Sequence, residues 1–479
     1  MSTTYVPVIG LEVHVQLKTA TKLFCGNSTE FGAAPNSNVC PVCLGLPGAL
    51  PVLNESAMEL AARAGYGLNC IVHETSIFAR KNYFYPDLPK GYQITQFDRP
   101  LATDGHLDAP AGPGAEEARV RIRRIHVEED AGKSLHDRLP GLTAIDLNRA
   151  GVPLVEIVTE PDVKSAAHAR AFLTRLKQIL QYLDVSDCDM EKGSLRVDAN
   201  VSIHEAGSFE LGTKTEVKNM NSFANVERAI LFEIDRQIGI VTHGGRVVQE
   251  TLLWDATRNQ ARPMRSKEES HDYRYFPEPD LPPAVLPLAW LERVRAALPE
   301  LPQARARRFR EQYGLPAYDA EVLTAERALA DYYEDVATVV DPKAASNWIM
   351  TDVLSTLNER GWSIREFPIA PARLAELIRL VLDGVISNTI ARQIFVKLLT
   401  TDRSPREIVE AEGLVQVRDT DRIEEWVHEV VDQNPGEAER IRGGETKLIG
   451  FLMGQVMKKS GGKVDPRLAT ELLKKRLGV

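Results

Sequence analysis

Residues 8–17, VIGLEVHVQL, alternate apolar and polar side chains, a pattern typical of a strand with one buried face. Its polar face carries Glu12, His14 and Gln16 side by side. A carboxylate and an imidazole two residues apart can bind one cation or exchange a proton. A strand with one solvated face carries the same residues without any function. The stretch therefore raises the hypothesis of a metal or catalytic site and leaves it open.

Glu156 is a second residue with chemical potential, because it interrupts the apolar run VPLVEIV. Such a run predicts a buried strand, and burying an isolated ionised carboxylate is prohibitively costly. Glu156 must therefore be protonated, paired with a cation such as Arg149, or bound to a metal ion. The sequence leaves the ion pair and the metal site as equal alternatives.

A third strand, predicted within 119–127, ends in three adjacent acids, Glu128, Glu129 and Asp130. Their mutual repulsion is relieved either by a bound cation or by solvent. The apolar residues of this strand change parity near 123–124, which predicts a bulge. Because of that change, we do not separate Glu128 from Glu129 as the metal-facing residue.

These strands would bring carboxylates and one imidazole to a single site. Such ligands suit Mg²⁺ or Mn²⁺ and leave positions for phosphate and water, as phosphoryl transfer requires. The polar faces of 194–204 and 214–223 interleave cations, acids and amides, as a nucleotide-phosphate cradle does. A solvated sheet face has the same composition, so that alternative stays open. The candidate cradle residues are Arg196, Asp198, Asn200 and Lys218.

Three of the five cysteines, Cys25, Cys40 and Cys43, are closely spaced and form a candidate zinc site. Structural zinc normally takes four ligands, and no spacing recommends Cys70 as the fourth. Cys188 is interpreted as a buried thiol. Five cysteines form no disulfide framework, which favours a reducing, cytoplasmic location.

The elements that position these residues belong to a chain of 479 residues, too long for one core. No apolar run approaches ~20 residues, so no membrane span is expected. We predict an α+β domain over 1–290, an all-helical domain over 291–405 and a small helical tail domain over 406–479. The boundaries rest on the proline-rich stretch 277–287, interpreted as a linker or a rigid extended crossing, and on TDRSP at 401–405.

The net charge of −9 is unevenly distributed, because residues 441–479 carry nine Lys and Arg against three acids. A basic end on an acidic protein predicts a local anionic partner, although a charge run can also merely solvate the chain end. The candidate phosphate contacts are Lys458, Lys459 and Lys463, which flank a glycine turn.

Seven stretches, in order along the chain, resemble signature stretches of the B-subunit family of bacterial aspartyl/glutamyl-tRNA amidotransferases. They are VIGLEVHVQL, CPVCLGLPGALPVLN, ARKNYFYPDLPKGYQITQ, HVEEDAGKS, DLNRAGVPLVEIV, GSLRVDANVSI and EVKNMNSF. The resemblance implies a glutamine-synthetase-like cradle domain of mixed, mainly antiparallel sheet with helices. It also implies that the helical and tail domains hold tRNA.

The implied activity is phosphorylation, with ATP and Mg²⁺, of the side-chain carboxylate of Glu-tRNA(Gln) or Asp-tRNA(Asn). Ammonia, released from glutamine by the amidase (the A subunit), then displaces the phosphate. A small C subunit would fasten the other two together in a heterotrimer. The resemblance implies magnesium ligands at Glu12, His14, Glu129 and Glu156.

The cysteine stretch departs from the family pattern. Members with zinc have Cys-x-Cys followed by Cys-x-x-Cys, but here Asn27 stands where the second cysteine would be. Zinc therefore stays a candidate at three cysteines with one ligand missing.

The sequence is compatible with two other functions. The chain could be a tRNA-binding scaffold whose acids are structural, or a ligase acting on a free amino acid. The basic tail argues against the second, since a small substrate needs no cationic helical domain. ATP hydrolysis that requires a misacylated tRNA would separate these functions, and either of the two tRNAs is compatible with the sequence.

Overall fold

A computed structural model describes residues 4–139, 141–208, 210–264, 273–415 and 420–479. The chain divides into two compact units, 1–301 and 302–479. Among the described residues, no helix combines the length and apolar character needed to cross a membrane.

A nine-stranded mixed sheet forms the first unit, with strand order β14-β13-β12-β11-β1-β10-β7-β6-β2. All neighbours are antiparallel except β12 and β13. Smaller sheets join β15-β4-β5, β16-β3 and β8-β9. The strands are β1 (Tyr5–Gln16), β2 (Ile71–Val72), β3 (Thr75–Ser76), β4 (Phe78–Asn82), β5 (Tyr92–Gln96), β6 (Ala102–Pro110), β7 (Glu117–Glu129), β8 (Lys133–Leu139), β9 (Leu142–Asp146), β10 (Pro153–Thr159), β11 (Leu195–Glu205), β12 (Thr215–Lys218), β13 (Thr251–Asp255), β14 (Gln260–Pro263), β15 (Phe276–Pro277) and β16 (Ala284–Val285).

Within the described part of the first unit, four helices accompany this sheet: α1 (Glu55–Gly67), α2 (Ala166–Tyr182), α3 (Phe223–Thr242) and α4 (Leu288–Ala296). Each of the first three begins at a polar side chain that caps free backbone N–H groups, namely Asn54, Ser165 and Ser222. The apolar stripes of the helices and one face of the sheet form a common core. The α+β prediction for the first part of the chain is confirmed.

The predicted alternation of apolar and polar side chains along β1 is confirmed, with the two kinds of side chain on opposite faces of the sheet. Val13 and Val15 are fully buried in the core, whereas Glu12 and His14 point to the other side of the sheet. The bulge predicted in β7 is also present. Val158 of β10 opposes Arg124 but its neighbour Thr159 opposes Ile122, so Arg123 is the extra residue.

The proline-rich stretch 277–287 does not link two domains. Its ends form β15 and β16, which pair with β4 and β3. Glu278 is buried and accepts two hydrogen bonds from Arg80, at 2.7 and 2.8 Å. Prolines are tolerated here because short edge strands leave some N–H groups unpaired. The first unit therefore extends through α4 to Leu301, beyond the predicted boundary at 290.

The second unit is helical, as predicted. Its helices are α5 (Pro302–Tyr313), α6 (Ala317–Leu323), α7 (Arg327–Ala337), α8 (Pro342–Trp348), α9 (Leu354–Arg360), α10 (Pro371–Leu382), α11 (Asn388–Leu398), α12 (Pro405–Ala411), α13 (Thr420–Gln433), α14 (Pro435–Arg442), α15 (Ile449–Lys459) and α16 (Pro466–Leu477), with a π-helical turn at Ile349–Val353 and 3₁₀ turns at Ile364–Glu366 and Thr446–Leu448.

Two apolar clusters fill this unit, one between Phe309 and Val409 and one between Ile423 and Leu477. Ile408 and Val409 of α12 belong to the first cluster, so the core boundary lies after the predicted position at 405. Ser404 caps α12, which explains why TDRSP begins a helix rather than a separate core.

Candidate active site

The polar face of the sheet gathers the candidate residues through strand register. In an antiparallel sheet, directly opposed residues project to the same face. His14 opposes Glu156 of β10 on one side and Arg196 of β11 on the other. Glu156 in turn opposes His126 of β7. Four neighbouring strands thus present polar side chains to one surface.

Two imidazoles and two carboxylates form an acid–imidazole cluster, defined as His14, His126, Glu128 and Glu156. The Nε2 atom of His14 lies 3.4 Å from Glu156 Oε2 and 3.8 Å from Glu128 Oε1. The Nε2 atom of His126 lies 3.1 Å from Glu156 Oε2 and 3.6 Å from Glu128 Oε2. None of the four exposes more than 19% of its side chain.

The geometry selects Glu128 over Glu129, the residue that the resemblance implied. The carboxylate of Glu129 accepts the backbone N–H of Ile94 at 2.9 Å and pairs with the ammonium of Lys90. Along β7, Glu129 projects to the same face of the sheet as the buried Val127, whereas Glu128 projects to the same face as His126. Glu129 is therefore held apart from the acid–imidazole cluster.

Arg149 is not the partner of Glu156. Its guanidinium lies 3.6 Å from Asp130 and donates hydrogen bonds to the carbonyls of Ala131 and Gly132. The interpretation of Glu156 as half of an Arg149 ion pair is therefore wrong. The partners of its carboxylate are the two imidazoles.

Electrostatics explain how two carboxylates share one nearly buried position. Burial alone would lower the pKa of His126, but the charges of Glu156 and Glu128 raise it to about 9. Burial likewise opposes the charge of His14, and its hydrogen bond with Glu156 raises its pKa overall. The pKa values of Glu128 and Glu156 are lowered against burial, chiefly by His126. The two imidazoles thus offset the cost of placing two carboxylates at this position.

Glu12 belongs to a second, adjacent group. The three-carboxylate group consists of Glu12, Asp198 and Glu216, whose ligand oxygens lie within 4.8 Å of one another. Lys218 lies 2.8 Å from Asp198 and 3.0 Å from Glu216, and Asn200 donates to Glu12 at 3.1 Å. Burial, followed by the charge of Glu156, raises the pKa of Glu12, so the two groups interact.

The predicted cradle residues all lie on this face, already paired. Asp198 belongs to the three-carboxylate group, which Asn200 and Lys218 contact. Arg196 donates to the buried Asp130 at 2.9 Å, and Gln16 donates to the same carboxylate at 2.8 Å. The predicted single site is thus a row of two acidic groups bordered by cations.

The donor set of the acid–imidazole cluster fits a small divalent cation. Donor atoms of His14, Glu128 and Glu156 lie within 4.8 Å of one another. Octahedral ligands at ~2.1 Å from a cation are about 3.0 Å apart when adjacent and about 4.2 Å apart when opposite. The separations of 3.4 and 3.8 Å from His14 fall between these values. Small side-chain shifts would suffice to hold Mg²⁺ or Mn²⁺.

The cysteine cluster assembles without a fourth ligand among the described residues. The Sγ atom of Cys43 lies 3.5 Å from that of Cys25 and 3.7 Å from that of Cys40. Instead of a fourth thiolate, Asn27 Nδ2 lies 3.5 Å and the buried Lys22 Nζ 3.4 Å from Cys43 Sγ. The Cys25 thiol, then Asn27 and Lys22, lower the pKa of Cys43 to about 4. This set does not fit a closed zinc site.

The other two cysteines lie elsewhere. Cys70 contacts the carbonyl of Leu68 at 3.8 Å and is not the missing fourth ligand. Cys188 is fully buried, as predicted. Burial raises the pKa of each of these two thiols to about 12.

The tail lysines differ in their environment. Lys459 pairs with Glu429, whereas Lys458 is exposed and Lys463 half-buried. The carbonyl of Gly462, in the glycine turn between them, accepts a hydrogen bond from Ser387 at 2.9 Å. The turn therefore packs against the start of α11 through Gly462.

Sequence reasoning missed His126 and Glu216. Both stand in alternating stretches: His126 is two residues before the candidate ligand Glu128, and Glu216 is two residues before the candidate cradle residue Lys218. Continuing the alternation through β7 after the bulge would have identified His126. The contact of Lys22 with Cys43 had no comparable sequence signal.

Comparison with known proteins identifies the family of this chain. Residues 7–292 match the family model described as the GatB/GatE catalytic domain, and residues 331–477 match the GatB domain. The chain belongs to the GatB family. A Prosthecochloris aestuarii protein, named as the B subunit of an aspartyl/glutamyl-tRNA(Asn/Gln) amidotransferase, is 54% identical over 475 residues, 99% of this chain and 98% of the relative. A Geobacter sulfurreducens protein with the same name is 54% identical over 477 residues, 99% of each chain.

Proposed function

We propose that this GatB-family chain activates the side-chain carboxylate of Glu-tRNA(Gln) or Asp-tRNA(Asn) with ATP and then amidates it. The observation that supports this most directly is the pair of adjacent acidic groups on one sheet face. They lie within the region that matches the GatB/GatE catalytic domain. Free amino acid ligation is the weaker alternative, because the relatives are named for an activity on aminoacyl-tRNA.

The reaction explains why acids and cations share this face. A carboxylate reacts poorly with ammonia because its oxygen is a poor leaving group, and phosphorylation supplies a better one. A bound Mg²⁺ would neutralise charge on the transferring phosphoryl group. His14, Glu128 and Glu156 would hold that cation. Lys218 and Arg196, 36% and 35% exposed, are available to exchange their carboxylate partners for phosphate oxygens.

The proposed assembly includes other chains. Relatives are named as the B subunit of an amidotransferase. We propose that the A subunit, an amidase, supplies the ammonia and is joined to this chain through a small C subunit. Lys458 and Lys463 are proposed contacts to tRNA phosphates. We expect the complex to work in the cytoplasm, with ATP and Mg²⁺ and without zinc.

Replacing Glu156 tests this function. The complex carrying Glu156→Gln, which preserves side-chain volume, should lose formation of Gln-tRNA(Gln) from Glu-tRNA(Gln), ATP, Mg²⁺ and ammonium. Glu205→Gln, at the exposed end of β11, is the matched control and should retain the wild-type rate. Near wild-type amidation by a folded Glu156→Gln complex would make the carboxylate structural. Absence of ATP hydrolysis by the wild-type complex in the presence of the misacylated tRNA would favour the scaffold function.

A further inference from the structure

An aromatic pocket opens beside the acid–imidazole cluster. It has a volume of about 250 Å³ and is lined by Ile77, Ala79, Phe97, Asp98, Arg99, Tyr275, Phe276 and Pro277. We call it the Phe97 pocket. Phe97 stacks on Tyr275 with ring centroids 4.0 Å apart and an interplanar angle of 3°. Phe97 and Phe276 nevertheless remain 38% and 44% exposed, which leaves apolar ring surface accessible.

Two strands place this pocket next to the proposed reaction site. Thr95 donates a hydrogen bond to Glu128 Oε2 at 3.0 Å, and Phe97 follows two residues later. Residues two apart in an extended chain are separated by about 7 Å. On β7, Arg124 precedes His126 by two residues, and its guanidinium carbon lies 6.0 Å from the Phe97 ring centroid.

Arg124 has hydrogen-bonding capacity left over at this position. Its Nε atom is buried and, within the described part of the chain, has no hydrogen-bond partner. The guanidinium of Arg124 is 6.0 Å from the Phe97 ring centroid, whereas the guanidinium of Arg80 is 4.1 Å from the Tyr92 ring centroid. Arg124 therefore packs less closely on its aromatic ring than Arg80 does. Asp98 and Arg99, both exposed at the pocket, add a carboxylate acceptor and a cationic donor. A planar ligand with both donors and acceptors would complement this combination.

We propose that the Phe97 pocket binds an adenine ring. The proposal rests on the proposed function, because both of its substrates carry adenine: ATP, and the terminal adenosine of the aminoacyl-tRNA. A pocket of this volume takes one ring system rather than a whole nucleotide. Aromatic side chains bind nucleobases by stacking, and the adenine amino group and ring nitrogens can pair with Asp98 and Arg99.

Kinetics of Phe97 variants test the proposal and identify the source of the adenine. The complex carrying Phe97→Ala is compared with wild type for the KM of ATP and, separately, for the KM of Glu-tRNA(Gln), with ammonium as nitrogen donor. One of the two KM values should rise about tenfold, the size of one lost base–aromatic stack. Phe97→Tyr should restore it because the ring is kept. Phe31→Ala, at a ring that is 70% exposed elsewhere in the same unit, should change neither.

Each outcome decides the matter. A rise confined to ATP assigns the pocket to the nucleotide, and a rise confined to Glu-tRNA(Gln) assigns it to the terminal adenosine. Unchanged KM values, or an equal rise in both, would overturn the proposal. If Phe97→Ala does not fold, Phe97→Leu removes the ring while keeping apolar volume. An inactive wild-type complex would count against the proposed function instead, and equilibrium dialysis of ATP and of Glu-tRNA(Gln) against the full chain would then test Phe97 alone.

Discussion

The choice between Glu128 and Glu129 can be tested by neutralising each in turn. Glu128→Gln removes one negative charge from the acid–imidazole cluster, where donor atoms lie 3.4 to 3.8 Å from His14. Two unit charges about 4 Å apart interact by about 4 kcal/mol at an effective dielectric constant of 20, which is a lower bound for a carboxylate beside a divalent cation. Because 1.4 kcal/mol is a factor of ten, the Mg²⁺ concentration required for half-maximal activity should rise at least about a thousandfold.

Glu129→Gln should behave differently, because Glu129 is engaged by Lys90 and the Ile94 N–H. Removing one partner of a buried ion pair costs about 3–5 kcal/mol. Glutamine still accepts the Ile94 hydrogen bond, so we expect the lower part of that range. The Tm should fall, while the Mg²⁺ dependence of the folded enzyme should stay close to that of wild type.

The assay is a Mg²⁺ titration of ATP-dependent amidation for wild type and both variants, with Tm measured on the same samples. Glu205→Gln controls for the loss of one surface charge. The reasoning from geometry would be refuted by the reverse pattern, in which Glu129→Gln abolishes the Mg²⁺ response and Glu128→Gln leaves it intact. That pattern would restore the ligand implied by family resemblance.

Three further predictions concern other parts of the chain. Elemental analysis of the purified protein should find no stoichiometric zinc. The Asn27→Cys variant supplies a fourth thiolate and should bind one equivalent of zinc. Stoichiometric zinc in the wild-type protein would contradict this prediction. The double variant Lys458→Ala, Lys463→Ala should weaken tRNA binding and reduce the slope of log affinity against log salt concentration by about 1.5. Lys459→Ala should have less effect, because the Lys459 ammonium already pairs with an acid. The same slope in wild type and in both variants would argue against phosphate contacts. Burial tends to raise the pKa of Asp130, but the charges of Arg196 and Arg149 keep this pKa below the ordinary value of ~3.9. The ionised carboxylate therefore stabilises the fold at pH values above ~3.9. This stabilisation is lost as the pH falls through the pKa of Asp130 in the folded protein. Asp130→Asn should therefore lower Tm at pH 7 and show a shallower loss of Tm on acidification than wild type; parallel pH profiles would contradict this assignment.

Local patterns predicted the elements well because each depends on residues close together in sequence. The alternation of 8–17 predicted β1, and the change of parity near 123–124 predicted the bulge in β7. Proline content left two interpretations of 277–287, a linker or a rigid extended crossing, and only the strand pairing of its two ends excludes the linker.

Local sequence patterns predicted only part of the candidate site. Alternation correctly assigned Glu12 and His14 to the polar face, but the division of these residues between two groups depends on which strands flank β1. β10 brings Glu156 opposite His14, and β11 brings Asp198 opposite Glu12. Since a shift of one residue reverses the face of a whole strand, register between distant segments decides ligand sets.

By itself, the sequence determined that acids and an imidazole occupy the non-core face of predicted strands, and that helices follow the sheet. Only the tertiary structure decided the partners. Lys90 reaches Glu129 from 39 positions away, which leaves Glu128 to the cluster, and Asp130 rather than Glu156 receives Arg149. These outcomes depend on long-range contacts, whose geometry follows from packing of the complete sheet rather than from the periodicity of any one strand.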